Sequence, residues 1–270
     1  MGGWRDVGAA RTRVRGAIAR GGRKVSKVCC ISVVRDFAMY EKCVRGNQFL
    51  AGCELCAIDN RERNDGVPAC YNRFLDSRSE DEDAWYVFCH EDFQMMEALA
   101  PRLEKLDKGV LWGPIGAVTR VRFGMYHQWR LVGSVEECRK DGTGLRRVGE
   151  AAEEGTAAET FDCQCVIVHS SLVRRHALRF DEALTFDLYA EEFCMAAKEN
   201  AEIASRILPL AARHWSGGSV QARYHSQEAH VNAKYPKSCY TGTSSLVLGG
   251  NPPFFRRVTV ALKRLLRSGN

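Results

Sequence analysis

The sequence has no Gly-x-Gly-x-x-Gly after its first apolar run and no Walker-type Gly-x-x-x-x-Gly-Lys-Ser/Thr loop. Neither a Rossmann dinucleotide site nor a P-loop is therefore supported, and whatever binds here is not held by a glycine cradle. Long apolar runs are missing as well: none approaches the roughly 18 residues of a membrane span. Cys53-x-x-Cys56 has no second pair at zinc-finger spacing, which argues against a structural zinc. Acid is scarce at both ends. The first 27 residues hold eight Lys/Arg against Asp6 alone, and the last 15 hold five with no acid. The whole chain carries only +6, so the body between the ends is net acidic. A nucleic-acid binder would spread basic surface over the fold, and that partner class is set aside. No secretory signal pattern is present. Cys29, Cys30, Cys56, Cys89, Cys163 and Cys165 sit inside apolar runs as small hydrophobes, so the expectation is reduced thiols in a cytoplasmic protein.

What is present is an ordinary globular composition, 45% hydrophobic and 27% charged over 270 residues. That length buries one sizeable core with an appended segment. The chain is organised around Asp83–Phe93. Trp85–Cys89 is an unbroken apolar run, the pattern of a strand buried on both faces. It stops at His90-Glu91-Asp92. Ligands of parallel sheets sit at the carboxyl ends of strands, and side chains two apart on a strand point the same way. An imidazole and a carboxylate placed so would suit Mn²⁺ or Mg²⁺ with phosphate oxygens. Solvated polar residues closing a strand give the same pattern.

Before this stretch, Lys27–Val34 reads as a strand, Met39–Phe49 as a helix, Glu54–Asn60 as a strand and Ala69–Asp76 as a helix. Such alternation implies right-handed crossovers and a parallel sheet. Asp59, closing its strand, suits a ribose or base, or simply caps a turn. After it, Phe93–Leu106 reads as a helix with Met95, Met96, Leu99 and Leu103 as a core stripe. Val110–Val118 is a glycine-punctuated strand region. Arg120–Gly155 is a polar excursion carrying one short strand, Gln128–Val132, and Thr160–Val168 is one strand with Asp162 near its start. A helix begins at Leu188, with Glu191 and Glu192 in its first turn, either solvated or functional. Arg206–Ala212 is a last strand ending near His214. Phe254–Leu266 pairs an apolar stripe with a basic rim, which fits either a peripheral anchor on anionic lipid or packing against the body.

The ordered set Val28–Asp36, Tyr71-Asn72, Tyr86–Asp92, Gly113-x-x-Gly116, Phe161-Asp162, Phe180–Glu182, Tyr189–Phe193 and His214 resembles the family-2-like glycosyltransferases. The resemblance covers about 27–219. It implies a single α/β domain of the type-A glycosyltransferase fold, with a mixed, mostly parallel central sheet flanked by helices. A nucleotide-sugar-binding half (27–118) would precede an acceptor half (119–219). Residues 1–26 would form a flexible basic segment and 220–270 an extension with the basic amphipathic helix. It also implies that His90-Glu91-Asp92 stands at the Asp-x-Asp-type metal and diphosphate motif, with His90 replacing the first acid. His90, Asp92 and His214 would hold Mn²⁺ or Mg²⁺. Ser32, Val33, Val34, Asp59 and Asn72 would contact the nucleotide, and Asp162 would lie on the acceptor side. The catalytic base would come from Tyr189–Phe193, where Ala190 replaces a common Asp, leaving Glu191 or Glu192. The implied activity is inverting transfer from a nucleoside-diphosphate sugar to a hydroxyl of a glycan, lipid-linked or protein acceptor. The alternatives are a catalytically silent nucleotide-sugar-binding or scaffold protein, motivated by Ala190, and a metal-independent glycosidase using two acids.

Overall fold

The structure, a computed structural model, describes residues 26–122, 126–216, 222–245, 247–254 and 256–258. The expected basic segment (1–26, Ser26 apart) and most of the expected helix at 254–267 lie outside the described residues. The elements in chain order begin with β1 (Lys27–Val34), α1 (Phe37–Tyr40), which runs into a π-helical turn (Glu41–Arg45), and a 3₁₀ turn (Gln48–Leu50). There follow β2 (Glu54–Asp59), α2 (Val67–Asp76), β3 (Ala84–Cys89), β4 (Phe93–Met95), α3 (Leu99–Leu103), β5 (Leu111–Gly113), β6 (Ile115–Arg122) and β7 (Tyr126–Gly133). The chain continues with β8 (Val135–Glu137), β9 (Arg146–Val148), β10 (Ala157–Ala158), β11 (Thr160–Phe161), β12 (Cys165–His169) and α4 (Ser170–His176). It closes with α5 (Tyr189–Ala201), β13 (Ser205–Ile207), β14 (Ala212–His214) and α6 (Ala222–Lys234).

The central sheet has seven strands in the order β10-β13-β5-β12-β3-β1-β2. β2, β1 and β3 are parallel, and so are β5 and β13, while β12 and β10 run against their neighbours. Five of the seven strands therefore share one direction, and the fold is the expected mixed, mostly parallel α/β architecture. The uninterrupted apolar runs follow from helices lying on both faces. Tyr86 and Phe88 of β3, with Cys29, Ile31, Val166 and Val168, pack under α2, α4 and α5. Trp85, Val87 and Cys89 point the other way with Val28, Cys30, Cys165 and Ile167, toward α1 and α3. Each large apolar side chain so removed from water contributes roughly 1.5–3 kcal/mol.

Four expectations change. Phe93–Leu106 is not one helix: Phe93–Met95 is a strand paired antiparallel with β14, and only Leu99–Leu103 is helical. Phe93 and Met95 are buried and Gln94 is not, a period of two that tertiary pairing imposes over helical spacing. The 120–155 excursion is ordered by a β6–β7 hairpin and by β8–β9, with β8 joined to β14 and β4 in a second sheet. The run Thr160–Val168 breaks into β11 and β12, which belong to different sheets. The first helix ends early, in the π and 3₁₀ turns. Gly113-x-x-Gly116 has a packing reason here. A Cβ at Gly113 would lie 2.7 Å from the Phe161 ring, and one at Gly116 would lie 2.5 Å from the Thr160 carbonyl oxygen.

The described residues after 221 pack into this body. Gln227 on α6 accepts a hydrogen bond from the Thr185 N–H at 3.1 Å. Thr160 Oγ1 donates to the Thr241 carbonyl at 2.6 Å, and Trp129 Nε1 donates to the Gly242 carbonyl at 2.9 Å. Arg256, expected on a lipid-facing basic rim, is 4% exposed and donates to Thr119, Thr241 and Cys239. At that residue, packing against the body is what occurs. Among the described residues no helix is long and apolar enough to cross a membrane.

Candidate active site

The carboxyl ends of β1 and β3 open on a cavity of about 800 Å³. At its floor the chain turns sharply after β3: the His90 N–H donates to the Gln164 carbonyl, and the Phe93 N–H donates to the His90 carbonyl, both at 3.1 Å. β4 then pairs with β14 so that Phe93 faces His214, and the Trp215 N–H donates to the Asp92 carbonyl at 3.0 Å. This short ladder carries His214 back to the end of β3. One ligand atom each from His90, Asp92 and His214 lies within 4.8 Å of the others, with Asp92 Oδ1 3.3 Å from His214 Nε2.

Hydrogen bonding sets the His90 tautomer. Tyr189 Oη donates to the Cys163 carbonyl at 2.6 Å, so it accepts from His90 Nε2 at 3.1 Å, leaving Nδ1 with the free lone pair. Burial, with His214 nearby, pushes the His90 imidazole down to about 4. Burial opposes charge on Asp92, but His214 and then His90 draw it down to about 2. Burial likewise opposes a charged His214, yet the Asp92 carboxylate carries it above the ordinary imidazole value. Although His214 is buried, its Nδ1 has no hydrogen-bond partner among the described residues while its Nε2 meets the Asp92 carboxylate, and that orphaned nitrogen is the polar group a cation would satisfy. Two imidazoles and a carboxylate fit Mn²⁺ better than Mg²⁺, which prefers oxygen.

The structure brings some of the other expected residues here and not others. Glu91 lines the cavity, but its Oε2 accepts the backbone N–H groups of Arg35 and Asp36 and so pins the end of β1. Val33 lines it too. Ser32 is buried against Cys89 Sγ at 3.5 Å and Val34 lies in the core, because alternate residues of β1 face into the packed layers. Asp59 is exposed outside the cavity lining, paired with Arg61 at 2.6 Å, and its neighbour Asn60 lines the cavity instead. Asn72 is a clamp beneath the site: its amide donates to the Phe180 carbonyl at 2.9 Å and accepts from the Phe180 N–H at 2.9 Å. Asn72→Ala leaves both buried backbone groups unpaired. It is expected to cost about 2–4 kcal/mol, read as a lower urea midpoint at unchanged slope.

Asp162 sits in the break between β11 and β12 and lines the same cavity as Glu191, near enough to His90 and His214 for its charge to act on both imidazoles. Leu188, left-handed at φ 61° and 1% exposed, starts α5 and sets the direction of its first turn. The two glutamates of that turn are not solvated but buried, at 2% and 0% exposure. They face different ways, as adjacent helical residues must. Glu191 faces the cavity, accepting from Thr243 Oγ1 at 2.7 Å and from Cys163 Sγ at 3.4 Å. Burial pushes its carboxyl up to about 7, with the Asp162 charge adding to the rise. Glu192 faces away, bound by Tyr235 Oη at 2.6 Å and Lys234 Nζ at 2.8 Å. Pattern reading missed Phe186, Arg223, Tyr224 and Thr243, which also line the cavity. Phe186 stacks on His90 with ring centroids 5.3 Å apart, and the Arg223 guanidinium lies 5.1 Å from the Phe186 ring. Only the exposed aromatic Phe186, beside a Thr-Phe-Asp turn, left a sequence trace.

No family model matches this chain, and no curated protein does. Among solved structures it is similar to the crystal structure of GalNAc-T7 with UDP, GalNAc and Mn²⁺, at a TM-score of 0.47 and 8% identity, over 76% of this chain and 48% of that one. It is also similar to S. aureus TarS 1-349, at a TM-score of 0.40 and 11% identity, over 70% of this chain and 60% of that one. This chain thus spans about half to three fifths of the length of those two chains.

Proposed function

We propose that this chain is a metal-dependent glycosyltransferase of the type-A fold, moving a sugar from a nucleoside diphosphate to an acceptor hydroxyl with inversion. The observation that carries this reading is the convergence of His90, Asp92 and His214 at the end of β3, with Glu191 lining the same cavity. The sequence resemblance supplies the reaction class. His90, Asp92 and His214 would hold the divalent cation, which when bound neutralises charge on the departing diphosphate. Glu191 takes the proton from the acceptor hydroxyl as that oxygen attacks the anomeric carbon. A buried carboxyl near 7 is half ionised at neutral pH, basic enough to accept a proton and free enough of one to do so. Glu192, committed to Lys234 and Tyr235, has no part in the transfer. Asn60 and Val33 line the nucleotide side, and Asp162 lines the acceptor side. The cytoplasm supplies such donors to a chain with reduced thiols, and the acceptor is a glycan, a lipid-linked sugar or a protein.

A thermal-shift screen of UDP-, GDP-, dTDP- and CMP-sugars, with and without Mn²⁺, tests this. One donor is expected to raise the melting temperature only with the metal present, since a ligand held at 100 times its Kd stabilises by about 2.7 kcal/mol. Metal-dependent donor binding without transfer to any acceptor or water would instead favour a silent binding protein.

A further inference from the structure

The base of the proposed transfer is built from two distant parts of the chain, and the later part makes a contact that the reaction itself does not require. Thr243, buried at 7% exposure, places its hydroxyl 2.7 Å from Glu191 Oε1. Among the described side chains, the other carboxylate oxygen, Oε2, meets the weaker thiol donor of Cys163 at 3.4 Å. The two oxygens are thereby made unequal. One is fixed by a strong hydrogen bond and the other keeps the more available lone pairs. The segment that carries Thr243 is held by groups outside the catalytic cluster. Thr241 N–H donates to Glu159 Oε2 at 2.7 Å and Gly242 N–H donates to the Ser245 carbonyl at 2.8 Å. Ser245 Oγ donates to Glu228 Oε1 at 2.6 Å, and Thr160 and Trp129 tie the Thr241 and Gly242 carbonyls down.

Resting on the reading of Glu191 as the base, we propose that Thr243 is its positioning residue: the segment 241–245 sets the rotamer of Glu191 and selects Oε2 as the proton acceptor. A carboxylate on a helix has several rotamers, and a group fixed by a second contact needs no reorganisation at the moment of reaction. Other titratable groups face Glu191. Asp162 and Cys163 approach from the break between β11 and β12, Tyr224 from α6, and Cys194 from α5 itself. Asp162 works to raise the carboxyl, whereas Thr243 works to lower it. Its hydroxyl therefore sets how much of the base is ionised near neutrality as well as where it points.

The test reads the carboxyl directly, without donor or acceptor. The full chain labelled with [5-¹³C]glutamate is titrated by NMR, and the Glu191 resonance is identified by its loss in Glu191→Gln. Thr243→Val is expected to raise the Glu191 midpoint by about 0.5–1 pH unit, the equivalent of one lost hydrogen bond. Thr243→Ser, which keeps the hydroxyl, is expected to restore the wild-type midpoint. Thr243→Ala replaces the valine variant if that one does not fold. An unchanged midpoint without the hydroxyl overturns the proposal, as does a serine variant that titrates like the valine variant. Donor turnover is read separately. Its absence in wild type counts against the glycosyltransferase reading and leaves the carboxyl titration standing. If turnover is present, Thr243→Val is expected to lower kcat about tenfold at constant donor KM.

Discussion

Replacing Glu191 by glutamine is expected to lower kcat by a factor of about 10²–10⁴ while making the protein more stable at pH 8. The activity loss follows from the loss of the proton acceptor, which general-base catalysis values at that range. Donor KM should stay near wild type, because His90, Asp92 and His214, which would hold the metal and diphosphate, are untouched. The stability gain follows from burial. Glu191 titrates near 7 in the folded chain, above the ordinary carboxyl value of 4.5. Its contribution to stability is therefore complete below pH 4.5 and is lost as the pH climbs through 7. Over that window the folded state must ionise a carboxyl that water no longer solvates, at a cost of roughly 3 kcal/mol. Glutamine keeps the hydrogen bond from Thr243 and carries no charge. The melting temperature of the variant minus that of wild type should therefore grow between pH 5 and 7 and level off above. Wild-type kcat should rise over the same window, as the base ionises. A variant with full activity, or one less stable than wild type at pH 8, would remove Glu191 from the role assigned to it.

Why Glu191 rather than Glu192 was not legible in the sequence is a matter of geometry. Adjacent residues of a helix diverge by about 100°, so only one of the pair can face a given cavity. The choice is made by Thr243 on one side and by Tyr235 with Lys234 on the other, none of which helical spacing can locate. The sheet was more legible. Trp85–Cys89 is apolar throughout because helices cover both of its faces, and β1 shows the same signature, whereas β2, at the sheet edge, is half-buried to exposed. The grouping of His90, Asp92 and His214 was legible in its residues but not in its cause. His214 reaches Asp92 through a ladder of three residues, and one half of that ladder, Phe93–Met95, carries the spacing of a helix stripe. Asp59 and Asn72 show the converse. Each has a residue type suited to a nucleotide, yet one pairs with Arg61 at the surface and the other fastens Phe180.

Asp92→Asn is expected to abolish the rise in melting temperature that Mn²⁺ gives the wild type, and to lower donor turnover on the order of 10³-fold. Asparagine matches aspartate in shape, so the turn after β3 and the β4–β14 ladder are preserved. What is lost is the only anion among the three donors, and two neutral imidazoles remain. Changing an outer-shell group costs roughly 10–100-fold in metal affinity, and losing a ligand exceeds that. The turnover loss reflects the several kcal/mol that a cation supplies to a departing diphosphate. Calorimetry gives a sharper signature. A cation needs unprotonated imidazoles, and Asp92 holds His214 above the ordinary imidazole value, whereas burial keeps His90 near 4. As the pH falls, His214 therefore protonates first, and wild-type Mn²⁺ affinity should drop about tenfold per pH unit below that point. Mn²⁺ binding should release close to one proton there, measurable as a heat that depends on the buffer's own ionisation. In Asp92→Asn the carboxylate no longer steadies the His214 proton, so the residual weak binding should keep a flat pH profile further into the acid range. Wild-type affinity for Mn²⁺ in the variant, or full turnover by wild type after exhaustive chelation, would show that His90, Asp92 and His214 serve the fold and not a cation.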